Sequence, residues 1–395
     1  MDAVLTPPPL GLYVHLPWCV QKCPYCDFNS HALRGALPES DYVEALLRDA
    51  DVEAERAGGR VVETLFIGGG TPSLFSAASI ERLLSGLGER LVLAADAEIT
   101  LEANPGALEA GRFTGFLEAG VNRLSIGVQS FDDAQLRRLG RIHGGAEACR
   151  AVAAAQDAGF ARINLDLMHG LPGQSVEQAR ADVEQALALG IRHLSHYQLT
   201  LEPGTAFHAR PPTLPDDDRL ADIEAACAER IGGHGLQRYE ISAWAVPGEA
   251  CRHNLNYWQF GDYLAIGAGG HGKLSHADGR IERYSKQRLP RVYQQLAGSP
   301  QAIAEHHEIA RPQRRLEYLM NALRLSDGVP FADALARTGL DAAAFEPQLG
   351  AARARGLLVD SADRLQTTPR GQRFLDDLLG DFLDSTGAPG EAVGQ

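Results

Sequence analysis

Apolar and polar positions in the first half of the chain fall into a repeating alternation. Strand-like apolar runs occur at 12–16 (LYVHL), 63–68 (ETLFIG), 98–103 (EITLEA), 123–128 (RLSIGV), 162–168 (RINLDLM) and 193–199 (HLSHYQL). Between them lie amphipathic or alanine-rich stretches of helical period, roughly 40–57, 76–90, 107–119, 132–158 and 175–189. Ser175, followed three residues later by Gln178, reads as a capping box opening the last of these. Strands alternating with helices build right-handed βαβ units on a parallel sheet. Six units are too few to close an eight-stranded barrel, which leaves an open partial barrel or a doubly wound sheet.

Polar or glycine-rich groups recur where each strand ends. Cys19, Cys23 and Cys26 follow the first, GGGTPS (68–73) the second, Glu102 and Asn104 close the third, and Gln129 the fourth. Asp166 with HGLPG (169–173) closes the fifth, and Thr200 follows the sixth. Any one of these is an ordinary turn residue. Their phase with the strand repeat marks the carboxyl ends of the strands, where barrel enzymes build their sites.

Beyond the alternation, RPPTLPDDD (210–218) reads as a linker. A helix at 219–232 follows, then a mixed segment carrying CRHNLNYW (251–258) and AIGAGGHG (265–272). The glycine-rich piece lacks the G-x-G-x-x-G spacing of a dinucleotide site. From about 311 the pattern is helical again, with a short hairpin-like DRLQTT and a final helix at 369–383. Three small helices and a wing make a winged-helix-like module, read here as a packing or partner surface.

The charge balance narrows the partners. The 395 residues carry 51 acids against 37 bases, a net charge of −14. That disfavours broad binding to nucleic acid or an anionic membrane. No apolar run approaches the ~20 residues of a membrane span, and the start lacks a basic region followed by an apolar stretch. The expectation is a cytoplasmic protein with no nucleic-acid partner and no integral span, with peripheral contact with membrane acceptors left open. Six cysteines, three clustered and Cys149, Cys227 and Cys251 scattered, fit a reducing compartment. Cys149 and Cys227 fall in helical patterns and read as small buried residues.

The cluster is spaced C-x3-C-x2-C over Cys19, Cys23 and Cys26. Three thiolates are one short of a zinc ribbon or a fully ligated iron–sulfur cluster. One reading adds His15 or His31 as a fourth zinc ligand. The other is a four-iron cluster whose fourth iron stays open to a substrate or cofactor.

The spacing, with Tyr25 before the last cysteine, resembles the signature of the radical S-adenosylmethionine superfamily. That resemblance implies an α/β fold, a six-unit partial (β/α) barrel. It also implies a [4Fe-4S] cluster on Cys19, Cys23 and Cys26, an electron donor for it, and S-adenosylmethionine on the open iron. YVHLPWCVQKCPYCDFN, FIGGGTPS, LEANP, RLSIGVQSF, LGRIH and INLDLMHGLPGQ resemble the oxygen-independent coproporphyrinogen III oxidase family over roughly 12 to 300. On this resemblance Tyr13, Tyr25, Gly69, Gly70, Thr71, Glu102, Gln129, Arg141, Asp166 and Thr200 sit at S-adenosylmethionine-contacting positions. The residue types suit that ligand. Glycines admit close backbone approach, acids suit ribose hydroxyls and the ammonium, and Arg141 suits a carboxylate.

Two departures from the oxidases stand out. Phe28 occupies the place of their further cysteine, and only 18 residues precede Cys19. Both resemble the related HemW subfamily, described as heme chaperones, and HNLNYW (253–258) resembles its H-N-x-x-Y-W motif, associated with heme. That resemblance implies heme on His253 and a heme acceptor protein as partner. Cys251, His271 and His276 are neighbours that could substitute as ligands; Cys251 and His253 do not form the C-x-x-C-H attachment motif. The domain division expected is a partial barrel over 1–210, a linker and HNxxYW segment over 211–305, the winged-helix-like module over 306–384 and a disordered tail over 385–395. The rival functions are coproporphyrinogen oxidation and a radical reaction on another substrate.

Overall fold

The computed structural model describes residues 5, 7–106 and 110–383. The tail expected at 385–395, and the start of the helix expected at 107, lie outside the described residues. Six parallel strands form as the alternation requires: β1 (Leu10–Leu16), β2 (Val61–Gly69), β3 (Val92–Ala103), β4 (Arg123–Gln129), β5 (Ile163–His169) and β6 (His193–Gln198). They pair in chain order, each with the next. Between them run α1 (Glu39–Ala57), α2 (Ala77–Gly88), α3 (Phe113–Glu118), α4 (Asp133–Arg138), α5 (Gly145–Asp157) and α6 (Val176–Ala188). Local chemistry sets their ends. Gly58 stops α1 in the left-handed conformation, Asp132 caps α4, and Ser175 with Gln178 forms the expected capping box on α6.

The stretch expected as one helix over 132–158 is two. Gly140 takes a φ of +68°, and a Cβ at Gly145 would stand 2.2 Å from the Phe131 carbonyl oxygen. The left-handed turn at Gly140 ends the first helix, the close approach of Phe131 requires glycine at 145 where the second begins, and the break places Arg141 on a loop above the sheet.

The sheet is larger than six strands. After α7 (Asp217–Gly232) come β7 (Gln237–Glu240) and β8 (Ala243–Ala245), then α8 (Arg252–Trp258) and β9 (Asp262–Ile266). β10 (His271–Ser275), β11 (Ile281–Lys286), α9 (Pro290–Leu296) and β12 (Ile303–Glu308) complete it. The twelve strands lie in the order β12-β11-β10-β9-β1-β2-β3-β4-β5-β6-β8-β7. β9 is a seventh parallel strand, in register with β1 from Leu10↔Asp262 to Val14↔Ile266. β11 is clamped to α1 by buried Lys286, whose Nζ lies 2.7 Å from both Asp49 Oδ1 and Glu53 Oε1.

One apolar core lies between the sheet and its helices, from Leu12, Val14, Leu65, Ile67, Leu101, Leu124, Ile126, Leu165 and Leu194 outward. A second belongs to the mostly helical C-terminal region, with α10 (Arg311–Ala322) and α11 (Phe331–Thr338), and two short paired strands at Val329–Pro330 and Arg364–Leu365. Trp258 and Phe260 reach into this second core, and the Arg324 guanidinium lies over the Trp258 ring at 4.3 Å.

Candidate functional site

Strand registry brings the other face of each strand into rows inside the barrel. Gly11 pairs with Thr64 and Thr64 with Glu98; Tyr13 pairs with Phe66, Phe66 with Thr100 and Thr100 with Arg123. Above them Glu102 pairs with Ser125, Ser125 with Asn164 and Asn164 with His193, and Asp166 pairs with Ser195. Apolar residues therefore face the helices and polar ones face inward. Parallel strands are usually apolar on both faces; here the inner face lines a polar chamber.

At the carboxyl ends of the strands the cysteine loop closes over this chamber. Cys19 lies in a short strand, Trp18–Cys19, paired with His31–Ala32, so the loop between returns on itself. Asn29 holds it to the sheet, donating to the carbonyls of Ala268 at 2.9 Å and Arg288 at 2.8 Å. Burial pushes the Cys19 and Cys26 thiols up, against a hydrogen bond from Thr71 to the first and from Ser30 to the second. All three cysteines are free. Among the described residues no three His, Cys, Asp or Glu side chains converge on one ion position. Three thiolates that each take a different iron do not need such convergence.

The GGGT loop lies directly beneath. Gly70 N–H donates to the Leu16 carbonyl at 2.8 Å and Thr71 N–H to that of Trp18 at 2.7 Å. A Cβ at Gly70 would stand 2.6 Å from the Trp18 carbonyl oxygen, and Gly69 has a φ of +115°. Only glycine fits this backbone path. Arg141 spans the opposite side. It donates to Asn104 Oδ1 and to the Gly127 carbonyl, both at 2.6 Å, and approaches Cys23 Sγ at 3.7 Å. Asn104 in turn donates to Thr71 Oγ1 at 2.9 Å. Gln129, held at a φ of +69°, accepts from the Tyr197 hydroxyl at 2.7 Å. Tyr25 packs against Phe207 at 6.3 Å, and burial raises its pKa.

The chamber's charge is lopsided. Glu102 accepts from Gly69 N–H at 3.2 Å; Asp166 accepts from Ser125 Oγ at 3.2 Å and Asn164 Nδ2 at 2.8 Å. Neither carboxyl forms an ion pair among the described residues. Burial, then the facing Asp166, raises the Glu102 pKa to about 8, and burial raises that of Asp166 as well. Two buried carboxyls beside a glycine backbone cradle suit a cationic ligand carrying hydroxyls, which fits the ammonium and ribose of S-adenosylmethionine. The three thiols, with no fourth in register, fit a cluster with one open iron.

The expected residues thus divide. Tyr13, Tyr25, Gly69, Gly70, Thr71, Glu102, Gln129, Arg141 and Asp166 line the chamber or its rim, while Thr200 is exposed just past β6. His253 lies at the opposite end. It is 1% exposed on α8, with Nδ1 2.8 Å from Thr64 Oγ1 and Nε2 2.8 Å from the Tyr257 hydroxyl. Its backbone N–H donates to Glu98 Oε1 at 3.0 Å, and burial lowers its pKa to about 3. Both ring nitrogens are engaged by protein hydroxyls in this arrangement. The reason is local: HNLNYW folds as a short helix laid across the lower strand ends. The sequence reading also missed the roles of Asn29, Phe66 and Tyr197. The polar alternation within each strand was the available signal for the last two.

The description "Radical SAM superfamily" matches residues 13–186, and "HemN C-terminal domain" matches residues 309–374. The chain is 53% identical over 376 residues to a protein of Escherichia coli named heme chaperone HemW, covering 95% of this chain and 98% of that one. It is 49% identical to the protein of the same name in Haemophilus influenzae, covering 95% and 98%. A mouse protein, radical S-adenosyl methionine domain-containing protein 1, mitochondrial, is 42% identical over 67% of this chain and 60% of its own. Among solved structures, the coproporphyrinogen III oxidase of Escherichia coli superposes with a TM-score of 0.80 at 24% identity, covering 95% of this chain and 90% of that one. That likeness bears on the fold.

Proposed function

Given that the chain belongs to the heme chaperone HemW family, within the radical SAM superfamily, we propose that it binds heme and passes it to an acceptor protein. The observation that carries this reading is near-full-length similarity to heme chaperones. Phe28 supports it: the ring is 48% exposed beside the cysteine loop where the oxidase pattern has a thiol.

Membership of the superfamily implies a [4Fe-4S] cluster and S-adenosylmethionine. When bound, the cluster supplies one-electron chemistry and an open coordination position. Cys19, Cys23 and Cys26 would hold it. The Gly69–Gly70 backbone and Glu102 would receive the ligand's ammonium, Asp166 its ribose hydroxyls, and Arg141 its carboxylate. Arg141 is preorganised for this by Asn104 and the Gly127 carbonyl. An electron donor and a heme acceptor are the partners, and the cytoplasm is the compartment that suits reduced thiols. No helix among the described residues is long and apolar enough to cross a membrane.

Anaerobic reconstitution followed by heme titration, then mixing with a heme-free acceptor hemoprotein, tests the reading. Stoichiometric binding and transfer are expected. If the protein binds no heme but converts coproporphyrinogen III to protoporphyrinogen with reductant and S-adenosylmethionine, the oxidase reading replaces it.

A further inference from the structure

A continuous column of rings joins the motif histidine to the cysteine loop. Tyr257 meets His253 edge-on at 4.7 Å, and His253 stacks on Phe66 at 5.3 Å. Phe66 stacks on Tyr13 at 6.4 Å, and Tyr13 lies 5.8 Å from His15 with its hydroxyl 3.0 Å from His15 Nδ1. His15 Nε2 then bonds the Asn29 carbonyl at 3.0 Å, three residues past Cys26. The middle of the column borders the acid of the chamber. A Cβ at Gly68 would meet Glu102 Oε2 and Phe66 Cε1 at 3.1 Å and Tyr13 Cε2 at 3.2 Å.

The lower end of the column is a plug. Gly11 lets the His253 ring approach β1, since a Cβ there would stand 3.2 Å from His253 Cε1. Glu98 takes both the His253 N–H and an ion pair from Arg162 at 2.7 Å. Arg162 also donates to the Ala250 carbonyl at 2.9 Å, tying the turn before α8 to the sheet. A porphyrin iron would have to enter this packed floor and displace a hydrogen bond whose partner would remain buried and unpaired, which is costly.

We propose that His253 is a positioning residue for the S-adenosylmethionine chamber, setting Tyr13 and Glu102 through Phe66, and that it is not a ligand to heme iron. Only the second half rests on the heme-chaperone reading. Removing the ring lets Phe66 drop into the vacated space, and Tyr13 and the Glu102 carboxyl follow. The motif then governs the cofactor end of the molecule from below, without touching the cofactor.

The test uses the full chain, anaerobically reconstituted, as native protein and as His253→Gln, His253→Leu and Phe66→Leu. Two titrations are run on each: S-adenosylmethionine against the paramagnetic resonance spectrum of the reduced cluster, and heme against the Soret band. His253→Leu and Phe66→Leu should both require roughly three- to tenfold more S-adenosylmethionine, the scale of one aromatic contact. His253→Gln, which keeps one donor and one acceptor, should recover part of the loss. Heme spectra should be unchanged in all three. Unchanged S-adenosylmethionine affinity in Phe66→Leu overturns the positioning role, even if the His253 variants fail to fold. A His253→Leu protein that loses its axial-nitrogen signature and regains it with added imidazole overturns the second half. A native protein that binds no heme removes the chaperone reading but leaves the S-adenosylmethionine titration to decide the positioning role.

Discussion

Replacing Glu102 with glutamine tests the electrostatics of the chamber. Burial, then the Asp166 carboxylate, raises this acid from 4.5 to about 8. The folded carboxyl keeps its proton at pH values where the unfolded one has lost it, so it costs the fold increasingly as pH rises between those two values. The displacement corresponds to about 5 kcal/mol when both states are ionised, and to about 3 kcal/mol at pH 7. Glutamine keeps the shape and does not titrate. Without ligands, Glu102→Gln should therefore gain up to about 3 kcal/mol at pH 7, about 1 kcal/mol at pH 5 and approaching about 5 kcal/mol at pH 9. Urea melts at the three pH values read this gain directly. Binding should move the opposite way. If Glu102 meets the ligand's ammonium as a carboxylate, S-adenosylmethionine binding to the native protein at pH 7 releases about one proton beyond the ligand's own titration. Calorimetry in buffers of different ionisation enthalpy counts it, and Glu102→Gln should lose both the proton and at least about tenfold in affinity, the scale of one charge-assisted bond. Equal proton release and equal affinity in the variant, with a melt whose gain does not grow with pH, would refute the reasoning.

Three further outcomes are expected. Cys23→Ala should lose iron and sulfide together on reconstitution, and a variant that retains a full complement by metal and sulfide analysis contradicts the assignment of the three thiols. Gly70→Ala drives a Cβ to 2.6 Å from the Trp18 carbonyl oxygen; displacement of the loop should cost about 1–3 kcal/mol in denaturant melts and weaken S-adenosylmethionine binding. Lys286→Met removes the cation shared by the buried Asp49 and Glu53 carboxyls, though the Tyr293 hydroxyl remains to Asp49 and the more distant Arg56 to Glu53, and a loss of about 3–5 kcal/mol in the same melts is expected.

The six core strands were readable because each is a short apolar run followed by a turn group, and every run sits within one of the observed strands or overruns its end by a single residue. The seventh parallel strand was not. Its crossover helix, Arg252–Trp258, has only seven residues, and glycines flank Asp262–Ile266, so the segment resembles loop. The kink that delivers Arg141 was hidden for a different reason. Alanine-rich sequence on its C-terminal side favours helix, and the left-handed turn at Gly140 that ends the first helix is one glycine among several, unmarked without the fold. The chamber's inward polar rows were present as a period of two in every strand, Glu98–Thr100–Glu102 most plainly, but only the members nearest the strand ends, such as Glu102 and Asp166, were read as site residues. His253 is the sharpest contrast. Its motif was recognisable, yet whether an imidazole is exposed or sealed depends on contacts to Thr64 and Tyr257, one of them 189 residues away.

α8 packs against the lower ends of β1, β2 and β3, where His253 meets Gly11, Thr64 and Glu98; were that floor to close the barrel, its approach would lie beside the cysteine loop. Traffic through a blind vessel is a queue: whatever lodges deepest must arrive first and depart last. A ligand seated on the glycine cradle would bar the way to anything beneath it. Order of addition, rather than affinity alone, then governs which complexes form, and preincubation with one ligand should slow the entry or escape of the other without any change in their separate equilibria.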